Sequence, residues 1–222
     1  FASAKEILDF YDKSSLNKTY TFKEEYLPMR IEISDEPKII SDTSSCVKVS
    51  TDNEALFIES NKLMFADKSE YNDFETFLTK YLSIMSEIID YTNRMIEIED
   101  IGLRYVNNFS CPMDKLGSTF LMFPAIHLEE KEKHFATMNN HLMMSNITST
   151  ETPNISASVK VLFHILDDKN LDITFDIDTH LNGHYNMSKI EEFKTHVVQL
   201  QDFKNKIFFS NFADMEAMKG FQ

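Results

Sequence analysis

Residues 171–181 read L-D-I-T-F-D-I-D-T-H-L and hold a dense set of side chains able to do chemistry. On an extended strand Leu171, Ile173, Phe175, Ile177, Thr179 and Leu181 share one face, while Asp172, Thr174, Asp176, Asp178 and His180 share the other. Same-face neighbours lie ~7 Å apart, near enough for two carboxylates to hold one cation between them. Asp172, Asp176, Asp178 and His180 are therefore a candidate catalytic set of the metal-dependent hydrolase or nuclease type. The plainer reading is the solvated face of an antiparallel sheet, which alternates in the same way and carries no chemistry.

A second polar group lies in I-E-I-E-D-I-G-L-R-Y-V-N-N-F, residues 96–109. Apolar and polar residues alternate on both sides of a phase break at Asp100-Ile101-Gly102, the pattern of a β-bulge with glycine at the extra residue. Beyond it, Arg104 takes one face and Leu103 and Tyr105 the other. An arginine in mid-strand among apolar residues calls for a carboxylate, because a buried charge left unpaired is costly. Asp176 or Asp178 can supply it from the other strand. Arg104, Tyr105, Asn107, Asp176 and Asp178 then form a polar binding or structural cluster that needs no metal.

Other chemistries find little footing. His127, His134, His141, His164, His180, His184 and His196 follow no H-E-x-x-H or other ligand spacing. Serine and cysteine nucleophiles lack an elbow motif. With 4 glycines and neither G-x-G-x-x-G nor a P-loop, a nucleotide cradle is not expected. No metal and no cofactor is assigned.

The elements that must position these residues follow from periodicity. Residues 2–16 read as a helix opened by a Ser3/Glu6 capping box, with Ile7, Leu8 and Tyr11 as its stripe. Residues 19–33 are strand-like but broken at Pro28, so part of them belongs at a sheet edge. Residues 46–50 and 55–65 read as strands of a meander with a turn at Asn61-Lys62. A long helix over 69–95 carries Phe74, Phe77, Leu78, Tyr81, Met85, Ile88 and Ile89 at helical spacing, a stripe made for packing on a sheet. Further strands are expected over 96–109 and 118–126, with a charged loop over 127–135 and strand or short helix over 136–150. Residues 159–166 and 171–181 pair as a hairpin across 167–170, and Asn182-Gly183-His184 makes a turn. A Ser188/Glu191 capping box opens a helix to about Asn205 with Ile190, Phe193, Val197 and Leu200 inward, and 207–212 reads as a strand. Hairpin, helix and strand thus occur twice in order, over about 46–109 and 158–212, within a single α+β domain spanning 1–222.

Composition narrows the class. The 222 residues are 42% hydrophobic and 26% charged, which is globular and not disordered. With 19 Phe, 8 Tyr and no Trp, the core should be rich in phenylalanine. A net charge of −14 argues against nucleic acid, whose binding rests on Lys and Arg neutralising phosphates, and suits a partner with a basic surface. Cys46 and Cys111 have no metal spacing and are expected as free thiols, giving a cytoplasmic address. No apolar run nears the ~20 residues of a membrane helix.

Ile101-Gly102-Leu103-Arg104-Tyr105-Val106-Asn107 resembles the central R-x-G-L-R-Y-x-N-like strand of a sporadically distributed family of uncharacterised bacterial proteins. Phe175-Asp176-Ile177-Asp178 and Ile207-Phe208-Phe209-Ser210 are similar to that family's later L-D-I-D-like strand and F-F-centred segment. The chain departs at Asp100, where the pattern often has a basic residue, and it begins without the family's usual first strand. The resemblance implies no activity. The family's patchy distribution is like that of mobile or defence-associated genes.

The expectation is therefore α+β: two β-rich halves forming antiparallel sheets, each with one long helix, plus an N-terminal helix. The function expected is that of a non-enzymatic acidic interaction or accessory protein, an inhibitor, immunity or regulatory subunit of a bacterial defence or toxin module. The alternative is the metal-dependent hydrolase. Self-association through an edge strand at 20–33 stays open.

Overall fold

The computed structural model describes residues 1, 4–26, 29–32, 38–41, 46–68, 73–92, 97–112, 140–166, 170–186 and 190–211. The expected strand at 118–126, the charged loop at 127–135 and the cap residues Ser3 and Ser188 lie outside them. The chain is α+β and divides into two compact units, Phe1–Ile96 and Glu97–Gln222.

In the first unit, α1 (Ala4–Lys13) and the single turn α2 (Leu16–Thr19) precede β1 (Phe22–Tyr26). A two-stranded ladder of β2 (Met29–Glu32) and β3 (Lys38–Ser41) follows. The main sheet comprises β1, β4 (Cys46–Ser50), β5 (Glu54–Glu59) and β6 (Leu63–Asp67), all antiparallel in that order, so β1 is an edge strand. The turn at Asn61-Lys62 is closed by Glu59 N–H donating to the Lys62 carbonyl at 2.8 Å. α3 (Phe74–Thr92) starts where the Asp73 carboxylate accepts from Thr76 N–H at 2.6 Å, a side-chain N-cap. Ile7, Phe10, Tyr11 and Leu16 pack with Val47, Val49, Leu56, Ile58 and Phe65 of the sheet and Ile84 and Ile88 of α3. Cys46 is buried, with its thiol 3.8 Å from Glu59 Oε1.

The second unit is built on β7 (Glu97–Pro112), β8 (Asn140–Thr148), β9 (Ile155–Ile165) and β10 (Asn170–Asn186). Their order is β7-β10-β9-β8, antiparallel throughout, so β8, β9 and β10 form a meander and β7 joins it from far away in sequence. α4 (Ile190–Ser210) lies on one face. Ile173, Phe175 and Ile177 of β10 and Val159, Val161 and Phe163 of β9 form the core there, with Ile207 of α4 and the flanking rings of Phe203 and Phe208. The even-numbered residues of β10 take the opposite face.

Three expectations need correction. Residues 207–210 are the last turn of α4 and not a strand. Ile207 continues the stripe of Phe193, Val197, Leu200 and Lys204 at helical spacing, and burial of that stripe overrides the β propensity of I-F-F. Asn182-Gly183-His184 does not end the strand: β10 runs on to Asn186 through a register shift between Asn182 and Tyr185. Opposite it β7 advances two residues, from Asp100 to Ile98, while β10 advances three. The extra residue of the bulge therefore sits on β10 and not at Asp100-Ile101-Gly102. Residues 140–148, left between strand and helix by the sequence, are strand.

Candidate functional site

The face of the second sheet opposite α4 gathers most of the polar residues singled out by the sequence. Antiparallel register sets them in rows across the strands. Val106, Asp176, Lys160 and Met144 form one row; Arg104, Asp178, Ser158 and Asn146 the next; Gly102, His180, Ser156 and Thr148 a third.

Arg104 stands directly opposite Asp178 but pairs one position further along. Its Nε donates to Asp176 Oδ1 and an Nη donates to Asp176 Oδ2, both at 2.8 Å. This is the two-pronged guanidinium–carboxylate geometry, in which both oxygens of the acid are engaged. Asp176 is 8% exposed although it points away from the hydrophobic core. The arginine covers it while keeping 57% of its own side chain in solvent.

Asp178 turns to its own strand instead. Its Oδ1 lies 3.2 Å from His180 Nε2, and the other ring nitrogen, Nδ1, lies 3.1 Å from Asp100 Oδ2 on β7. The residue across from His180 is Gly102, and a Cβ built there would lie 3.4 Å from His180 Cε1. That is an ordinary contact distance, and the imidazole lies over Gly102 on its way to Asp100. Burial alone pushes the His180 ring down, but the Asp100 hydrogen bond and the fields of Asp178 and Asp100 outweigh it and raise its pKa. Further along, Asp172 accepts from Ser110 at 2.5 Å and Thr174 donates to Asn108 at 2.7 Å. At the opposite end of β7 His184 Nδ1 meets Glu97 at 3.1 Å, both well exposed.

Arg104, Asp176 and Asp178 thus share one face, whereas Tyr105 and Asn107 do not. Those two occupy the register positions of Ile177 and Phe175, on the side of α4. There the Lys204 ammonium lies 3.9 Å from the centroid of the Tyr105 ring. Burial pushes this lysine down to about 8. The sequence reading missed Lys204. Its signal was its place in the inward stripe of α4, three residues before Ile207 and four after Leu200. On the same side Thr179, fully buried, donates to the Leu103 carbonyl at 2.8 Å and so costs the core nothing in unsatisfied polarity.

For the alternative catalytic set, the distances say what each donor does. Asp176 is held by Arg104, Asp172 by Ser110, and Asp178 and His180 by one another. Among the described residues, no group of three or more His, Cys, Asp or Glu is arranged to hold a metal ion. A surface groove lined by Glu75, Thr76, Thr79, Lys80 and Ser83 belongs to α3 of the first unit and contains none of these residues.

The acidic face is not wholly polar. Val106 is 52% and Met144 62% exposed in the row of Asp176, and Leu162 is 38% exposed in the row of Thr174. Among the described residues, no helix is long and apolar enough to cross a membrane. Comparison with protein-family models, with curated proteins and with solved structures finds no match.

Proposed function

We propose that the chain is a non-enzymatic acidic interaction protein, an inhibitor, immunity or regulatory subunit of a bacterial defence or toxin module, whose partner presents a basic surface. The observation that supports this reading is the make-up of the second sheet's open face. Asp100 on β7 and Asp172, Asp176 and Asp178 on β10 share this face with exposed Val106 on β7, Leu162 on β9 and Met144 on β8. Apolar contacts supply the free energy of a complex, and surrounding carboxylates select and steer a cationic partner. The net charge of −14 adds the long-range attraction.

Affinity capture from the native host, run beside a Val106→Lys/Met144→Lys variant, tests it. A stoichiometric partner of basic pI should bind the wild type, weaken steeply with salt, and lose at least about tenfold affinity with the variant, the scale of ~1.4 kcal/mol. Equal capture by both proteins would move the interface elsewhere. Hydrolysis that needs a divalent metal and disappears in Asp176→Asn/Asp178→Asn would replace this reading with an enzyme.

A further inference from the structure

The His180 ring is held at both nitrogens by carboxylates on two strands: Asp178 Oδ1 at 3.2 Å from Nε2 and Asp100 Oδ2 at 3.1 Å from Nδ1. Asp100 Oδ2 takes the hydrogen bond of Nδ1 and Asp178 Oδ1 lies at ion-pair distance from Nε2; an ionised carboxylate offers only lone pairs, so the ring form that suits both sides is the imidazolium, with an N–H at each nitrogen. We propose that His180 is an imidazolium clasp joining β7 to β10, and that losing its proton opens the clasp and loosens the adjoining end of β7. The neutral ring would turn a lone pair toward one of the two acids, so one contact must part.

The described strands around the ring fit this reading. On β7 the ring meets Asp100 and lies against Gly102, while Arg104, the next residue on that face, has its fork turned to Asp176. On β10 the same-face neighbour is Asp178. On β9 the positions opposite His180 and Asp178 are Ser156 and Ser158, and the first cation, Lys160, stands a row further off, opposite Asp176. α4 packs on the other face. Among the described residues the immediate charges around the ring are two carboxylates; burial, the largest single influence, opposes the cation, and the two acids together outweigh it.

Position decides what opening would do. Beyond the clasp residue Asp100 the described part of β7 comprises Glu97 to Glu99, and Ile98 and Glu97 pair past the register shift at Asn182–Tyr185. β7 is an edge strand, so this end has ladder partners on one side alone among the described strands. For a group whose folded pKa is raised, the stabilisation is complete below the unfolded value of ~6.5 and disappears as pH rises through the folded value. The clasp is therefore closed below the ordinary imidazole value and opens as pH rises through the raised folded value. This inference stands on the intact chain alone and needs no partner.

The test is a side-chain ¹H–¹⁵N titration of the histidines in the intact protein, with amide exchange of residues 97–101 followed over the same pH range. His180 should titrate above the ordinary imidazole value, with both nitrogens protonated at pH 6. In Asp100→Asn its pKa should fall, because a hydrogen-bonded carboxylate is lost from Nδ1. Exchange at 97–101, corrected for its intrinsic pH dependence, should accelerate several-fold as His180 deprotonates, and His180→Gln should abolish that acceleration. Titration at or below the ordinary value, a single neutral tautomer at pH 6, or corrected exchange with no inflection would each overturn the proposal.

Discussion

Arg104 could have closed on Asp178, its direct cross-strand neighbour, yet its two donors reach diagonally to Asp176. That choice leaves Asp178 to His180 and sets two salt-linked pairs side by side without competition. Asp176 has more to lose than Arg104, because it is 8% exposed while the arginine side chain is mostly solvated. Arg104→Ala should therefore destabilise the second unit by about 1–3 kcal/mol, the cost of a buried acceptor group left without its donor. An Arg104→Met/Asp176→Leu double variant, which removes both partners, should recover most of that loss. Urea unfolding followed by far-UV circular dichroism measures both. A single variant within about 0.5 kcal/mol of wild type, the range of an ordinary surface change, would show that the pair contributes nothing net. Strict alternation made the two carboxylates legible as candidates for Arg104. Which of them it takes was not legible, since a diagonal reach depends on strand register and twist that no local pattern encodes.

At the scale of elements, β10 explains both what the sequence could tell and what it could not. The alternation of Ile173, Phe175, Ile177 and Thr179 with Asp172, Thr174, Asp176 and Asp178 announces a strand with one wet and one dry face, and that is how it sits. Gly183 was read as the end of the strand and Gly102 as the seat of a bulge, because glycine alone does not say whether it turns a chain or makes room for a neighbour. Here Gly183 makes room, whereas Gly102 lies under the His180 ring at a distance a Cβ would also keep. A Cβ at Gly183 would come within 2.5 Å of the Tyr185 hydroxyl and 2.7 Å of its ring carbon Cζ. That ring lies 4.4 Å from the His196 ring, and its hydroxyl accepts from Asn154 at 3.3 Å. Gly183→Ala should expel the tyrosine and cost about 1–3 kcal/mol, in the range of overpacking. Gly102→Ala, whose Cβ meets the His180 ring at 3.4 Å, should cost less than about 1 kcal/mol. Thermal unfolding of the two variants side by side checks the order, and a reversed order would mean that room is not what Gly183 provides. The misread residues 207–210 teach the complementary lesson. Three apolar residues in a row are equally at home in either element, and the buried stripe of α4 decided between them.

For the whole molecule, each unit has a core of its own: Ile7, Phe10, Val47, Leu56, Ile58 and Ile88 in one, Val159, Val161, Phe163, Phe175 and Ile177 in the other. The sequence showed two β-rich halves with a long helix each but drew the first half to end near Phe109. The structure assigns β7, from Glu97 onward, to the second unit, because its ladder runs along β10 from Asn170 to Asn186. Nothing within 97–109 reveals that partner, which lies about seventy residues away. A fragment spanning Glu97–Gln222 should therefore fold by itself, with dispersed NMR signals and one cooperative urea transition. A fragment without such a transition would mean that the two units stabilise each other.

The sheet order carries a kinetic consequence. β8, β9 and β10 are neighbours in the chain and can zip together through short connections, whereas Arg104 and Asp176 are 72 residues apart. Closing that long loop is entropically costly, and the meander presents a ready edge for β7 only after it has formed. Contacts completed after the folding barrier leave the folding rate alone and slow the reverse reaction. The guanidinium fork and the imidazolium clasp both belong to that late seam. Their weight should fall on how long the second unit stays folded, not on how quickly it gets there.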